Sequence, residues 1–210
     1  MLKPLQQDDD KFKNLPYDIV KNGGGTIESN GCALMTCANA YLAITGNRVD
    51  VENLIELSLA NDCLNKFNQT KWRFLFVFAE HYGLNVEITH DISRALDAAG
   101  GGRTSIIVSA HSQNKKIFTK EGHWLTLCGR NNDKFRILES NFFGDNYDSP
   151  ESIDAMNKGL LTRDAGKMRM WADAKLLASE IRHEFPEPKE CEKWRNCGFG
   201  GAILTKKKSK

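Results

Sequence analysis

The chain has 210 residues, 40% hydrophobic and 27% charged, which fits a single soluble domain with a real core. Four of its 29 basic residues sit in the terminal run Lys206, Lys207, Lys208 and Lys210, leaving 25 to face 27 acidic residues, so nucleic-acid binding lacks its usual electrostatic footprint. No basic-then-apolar leader opens the chain and no apolar run approaches about 18 residues; a cytoplasmic protein with no membrane insertion is expected, one that could still leave by a non-classical route.

The first 30 residues read as an irregular lead-in, with the glycine-rich Asn22–Thr26 stretch too flexible for helix or strand. From Gly31 the pattern turns helical. Leu34, Cys37, Ala38, Tyr41 and Leu42 repeat at i, i+3, i+4, i+7 and i+8, and Gly46 ends the helix. Asp50 caps a second helix whose Val51, Leu54 and Ile55 face inward. A third is expected between Thr70, as its cap, and Gly83, with Trp72, Phe76 and Phe78 as core aromatics. Then the periods shorten. A strand is expected at 84–88, a short helix at 91–99, and β-rich segments at 104–110, 123–130 and 134–140, the last two forming an antiparallel hairpin. Residues 141–150 read as a loop, 151–185 as mostly amphipathic helix, and 198–207 as a final edge strand. Helices first and a mostly antiparallel sheet after them make an α+β fold.

Six cysteines are present: Cys32, Cys37, Cys63, Cys128, Cys191 and Cys197. They lack the close-set pairs of a zinc site and are too sparse for a disulfide scaffold. Cys191 and Cys197 are expected as free thiols that can pair if oxidised. Cys32 differs from the rest by position. It follows a glycine at a helix start, where free N–H groups and the macrodipole favour a thiolate, whereas Cys37 lies on the buried face.

A thiol nucleophile needs an imidazole in reach and a third group to fix that ring. His81, His90, His111 and His183 read as solvated or structural. His123 opens a β-strand directly after Gly122, and the next strand ends at Glu139-Ser140-Asn141, which brings acceptors back beside it.

The segment "GTIESNGCALMTCANAYLAITG" resembles the nucleophile region of the bacteriocin-processing (double-glycine-peptidase-like) papain-fold cysteine peptidases. The units "FAEHYGLNVE", "ISRALDAAGGGRTSIIVSA" and "GHWLTLCGRNNDKFRILES" follow in that family's order. The resemblance covers about residues 15–145, and 146–210 are expected to complete one papain-like domain over 1–210. It implies Cys32 as nucleophile, His123 as general base and acid, and no metal or organic cofactor. The family's aspartate falls on Glu139, with Asn141 as the alternative that orients the ring. No glutamine stands at the family's oxyanion position, where this chain has Thr26; Asn30 or Ser29 is expected to donate instead. The implied activity is a cysteine peptidase or amide hydrolase working through an acyl-enzyme thioester. Its substrate would be a peptide, a protein or a peptidoglycan stem peptide, and bacteria or their phages are the implied source. A thioester-forming acyl transferase and a non-catalytic peptide- or partner-binding module are the alternatives.

Overall fold

The computed structural model describes residues 3–19, 23–89, 91–110, 117–118, 122–142, 145–164, 168–180 and 201–207. His90, His111, His183, Trp194, Cys191 and Cys197 lie outside the described residues.

A single helical turn, α1 (Ile27–Asn30), leads through Gly31 into α2 (Cys32–Thr45). Thr26 and Ser29 close a reciprocal capping box around α1, and Gly46, at φ 78°, ends α2 with its N–H on the Leu42 carbonyl. The periodicity of α2 suggests one buried face. Instead Ala33 through Ala40 are all buried, because the N-terminal strap (residues 3–15) covers the side that the sheet leaves open. Asn39 fixes that strap, accepting from Leu5 N–H (2.7 Å) and donating to the Leu5 carbonyl (3.1 Å).

Next comes α3 (Val51–Ala60), whose Asp50 cap accepts from the backbones of Glu52 and Asn53. Then α4 (Arg73–His81) starts two residues later than expected. Thr70 is not its cap; the Thr70 hydroxyl lies 3.0 Å from that of Tyr17, and Trp72 precedes the helix without a side-chain cap.

The remaining elements are β1 (Leu84–Thr89), α5 (Ile92–Gly100), β2 (Thr104–Ala110), β3 (Gly122–Asn131), β4 (Lys134–Leu138), a 3-10 turn (Asp145–Asp148), α6 (Pro150–Asn157), β5 (Leu161–Asp164), β6 (Arg169–Asp173), α7 (Ala174–Glu180) and β7 (Gly201–Lys206). The strands form one antiparallel sheet in the order β1-β7-β2-β3-β4-β6-β5. Two expectations change. Among the described residues from 151 on, the helical stretch is interrupted: β5 and β6 lie between α6 and α7 and extend the sheet beyond β4. The last strand is not an edge, because β7 lies between β1 and β2. The architecture is α+β.

Strand alternation distributes β3 between two cores. Trp124 joins the cluster built on α2, α3 and α4, while Leu125 and Leu127 join a second one with α5, β4, β6 and α7. Among the described residues no helix is long and apolar enough to cross a membrane.

Candidate active site

The helix that carries Cys32 begins at a break in hydrogen bonding. Gly31 N–H ends the α1 ladder on the Ile27 carbonyl (2.8 Å), and Met35 N–H opens that of α2 on the Gly31 carbonyl (3.0 Å). The N–H groups of Cys32, Ala33 and Leu34 therefore fall between two ladders, a local concentration of positive dipole. Only glycine fits the junction: a Cβ on Gly31 would sit 2.5 Å from the Ile27 carbonyl oxygen. Cys32 is half-buried against the first core.

Two reciprocal bonds hold α2 in register with β3. Thr36 Oγ1 donates to the Trp124 carbonyl (2.9 Å), and Thr126 Oγ1 donates to the Thr36 carbonyl (2.8 Å). They set the start of α2 against the start of β3, where the Cys32 side chain comes near enough to His123 to act on its titration.

The other side of the ring is occupied by Glu139. His123 Nε2 lies 2.6 Å from Glu139 Oε1, so Nδ1 is the nitrogen left for the sulfur. Glu139 is fully buried, and its carboxylate is satisfied on both oxygens. Oε1 also accepts from Asn141 N–H (2.7 Å), and Oε2 accepts from the Tyr147 hydroxyl (2.7 Å). Asn141 thus meets the carboxylate through its backbone. Burial alone would push His123 down, but the carboxylate charge, Cys32 and the bond to Glu139 outweigh it and raise the imidazole to about 10. Burial alone would raise Glu139; the imidazolium charge and the donors on its two oxygens hold it below the usual carboxylate range.

Two groups absent from the sequence reading complete the surroundings. Gln6 lies along the turn after β4, its Nε2 donating to the Glu139 carbonyl (2.5 Å) and its Oε1 accepting from Phe142 N–H (2.9 Å). Gln7 bridges the two halves of the site. Its backbone N–H donates to the Ser140 carbonyl (2.8 Å), and its Nε2 donates to the Glu28 carbonyl (2.8 Å). Glu28 is the residue whose carbonyl would receive Cys32 N–H in an unbroken helix. A glutamine amide therefore stands where the N–H of the cysteine would otherwise bond. Nothing in "LQQDDD" marks this, because the two glutamines lie in a polar lead-in far from the cysteine in sequence.

The side chains of Ser29 and Asn30 are engaged elsewhere. Ser29 belongs to the capping box with Thr26, and Asn30 Nδ2 donates to the Tyr17 carbonyl (3.3 Å). Among the other thiols, burial pushes Cys37 and Cys128 up and raises Cys63 to about 11, all three less ready to ionise than a free thiol. His81 packs edge-on against Tyr82 at the end of α4. Among the described residues no group of three or more His, Cys, Asp or Glu is placed to hold a metal ion.

A half-buried thiol at a helix start, an imidazole beside it and a buried carboxylate behind the imidazole make a cysteine–histidine–carboxylate constellation on an α+β scaffold. The chain is similar to the crystal structure of the peptidase domain of Streptococcus ComA, a bi-functional ABC transporter involved in a quorum sensing pathway. The identity is 14% and the TM-score 0.49, over 83% of this chain and 90% of that one. It is also similar to a Bacillus anthracis protein assigned as a C39-like peptidase, at 15% identity and TM-score 0.45, over 99% of this chain and 95% of the other. No family model matches the chain, and no curated protein does.

Proposed function

We propose that the chain is a papain-like cysteine peptidase or amide hydrolase, with Cys32 as nucleophile, His123 as general base and acid, and Glu139 as the group that orients the ring. One observation carries the reading: His123 is bonded to a buried, fully satisfied carboxylate and has the Cys32 side chain near enough to act on its titration. In that arrangement the thiol proton passes to the imidazole, and the thiolate attacks the substrate carbonyl carbon. The carbonyl π pair moves to oxygen and gives a tetrahedral oxyanion. As the oxyanion collapses, the C–N bond breaks and the imidazolium protonates the leaving amine. Water, deprotonated by the same ring, then cleaves the thioester and returns the thiol.

The oxyanion falls to Cys32 N–H and the Gln7 amide, which its bond to the Glu28 carbonyl holds at the start of α2 with a second N–H to donate; the Asn30 amide, with one N–H on the Tyr17 carbonyl, is the alternative donor. The substrate class is a peptide or protein amide, peptidoglycan stem peptides included. Peptide and muropeptide mixtures incubated with wild type and Cys32→Ala, and compared by mass spectrometry, test the reading. Products formed only by wild type support it. If no product forms, and iodoacetamide labels Cys32 no faster than Cys128 and only at the rate of an ordinary thiol, the site is a binding cleft.

A further inference from the structure

We infer that Tyr147 is a positioning residue of this site: its hydroxyl holds the second oxygen of Glu139, and through that carboxylate it fixes the plane in which His123 is presented to Cys32. The inference rests on the reading above for its catalytic meaning, but its physical content concerns Glu139 alone.

A glutamate side chain has three rotatable bonds, one more than the aspartate that the resemblance calls for at this position. Held at Oε1 only, by His123 and Asn141 N–H, its carboxylate could still swing about that oxygen. Tyr147 removes the freedom by donating to Oε2 at 2.7 Å. The tyrosine is itself fixed. It is fully buried, its ring meets Phe118 edge-on with centroids 6.5 Å apart, and the Arg163 guanidinium lies 5.1 Å from the ring centroids of both Tyr147 and Phe142. Arg163 Nη2 donates to the Phe142 carbonyl (2.5 Å), which ties β5 to the turn after β4. Burial and the Glu139 charge push the Tyr147 hydroxyl well above its ordinary range, so it stays a donor at every working pH.

The charged or titratable groups around the carboxylate are therefore His123 with Cys32 beyond it on one side, and Tyr147 on the other with Arg163 behind. Asp148 stands 3.9 Å from Arg163 Nη1 at the outer end. The donor on the second carboxylate oxygen, Tyr147, and the arginine packed on it thus lie beyond residue 145, where the resemblance ends.

The test compares wild type, Tyr147→Phe and a protein with 3-fluorotyrosine at position 147, all carrying glutamate labelled with carbon-13 at the side-chain carboxyl. The signal that disappears in Glu139→Gln belongs to Glu139. Losing one charge-assisted bond moves its titration midpoint up by about one pH unit in Tyr147→Phe, and the more acidic fluorophenol moves it down. In parallel, Tyr147→Phe slows iodoacetamide alkylation of Cys32 about tenfold at pH 6, yet leaves it within about twofold when introduced into Glu139→Gln. An unmoved midpoint in both tyrosine variants, or equal slowing in the two backgrounds, overturns the inference. If wild-type Cys32 is not selectively alkylated, the peptidase reading fails, and the two midpoints still decide the role of Tyr147. The fluorinated protein keeps every bond of the native packing, so its result stands even if Tyr147→Phe folds poorly.

Discussion

Glu139→Gln isolates charge from shape. The carboxamide has nearly the volume of the carboxylate, and its orientation is dictated by the surroundings. Two N–H donors, His123 Nε2 at 2.6 Å and Asn141 N at 2.7 Å, converge on the position of Oε1, so the carbonyl oxygen must lie there. The NH₂ then faces Tyr147, whose hydroxyl rotates to accept. The imidazole keeps the tautomer with its proton on Nε2, and Nδ1 still faces Cys32. What disappears is the counter-charge of a buried imidazolium. A hydrogen bond to a charged group contributes about 1.5–3 kcal/mol, which at tenfold per 1.36 kcal/mol predicts a loss of about 10- to 10²-fold in alkylation of Cys32 at pH 6. The deficit closes at alkaline pH, where a thiol ionises unaided. Stability follows the same pair. His123 is raised from 6.5 to about 10, so its contribution is full below pH 6.5 and is lost as pH climbs through about 10. Glu139 is lowered from 4.5, so its contribution is present above pH 4.5 and is lost as pH falls through the depressed value. The difference in melting temperature between wild type and Glu139→Gln is therefore greatest between pH 4.5 and 6.5 and narrows on both sides. Equal alkylation rates at pH 6, or a melting difference that ignores pH, would refute the coupled imidazolium–carboxylate pair.

Gly31→Ala drives a Cβ to 2.5 Å from a backbone oxygen that cannot turn aside, and is expected to cost about 1–3 kcal/mol in urea unfolding. Gln7→Leu removes the amide on the Glu28 carbonyl and frees that carbonyl to take Cys32 N–H. Acylation of Cys32 by p-nitrophenyl acetate, which forms an oxyanion, should fall by about 10²-fold, while alkylation by iodoacetamide, which forms none, stays within about threefold. Thr36→Val leaves the Trp124 carbonyl without its side-chain donor and is expected to lower stability by about 1 kcal/mol. Because that bond also sets the register between Cys32 and His123, the variant's alkylation rate should fall too; an unchanged rate would separate the register from reactivity.

Local order was the most legible part of this chain. The 3.6-residue period and the Asp50 and Gly46 caps gave α2 and α3 from nearest neighbours alone, and the hairpin of β3 and β4 needed only two strands and a short turn. Cys32 and His123 could be singled out because each stands at the start of an element, and Glu139 because the resemblance places the family's carboxylate there. Position in the sheet was not legible. β7 is last in the chain yet lies between β1 and β2, and no local signal separates an inner strand from an edge. β5 and β6 were hidden because "LTRD" and "RMWAD" are short and of mixed polarity, and Arg163 earns its place by stacking on Phe142 and Tyr147 rather than by alternation. Gln6 lies 133 residues from the carbonyl it binds, a distance over which composition carries no information.

The two hydrophobic clusters meet at the site but cannot by themselves define it. Cys32 packs against one and Tyr147 belongs to the other, with β3 contributing to both. Apolar burial is non-directional and tolerates shifts of several tenths of an ångström, more than a 2.6 Å bond between His123 and Glu139 allows. The ties that cross between the halves are polar and directional: the Thr36–Thr126 exchange, Gln7 between Glu28 and Ser140, and Gln6 along the turn after β4. Buried polar groups of this kind cost desolvation and contribute little net stability, about 1 kcal/mol each at best. Their effect is on geometry. Changes at these ties should therefore damage reactivity out of proportion to melting temperature, and changes in either apolar cluster should do the reverse.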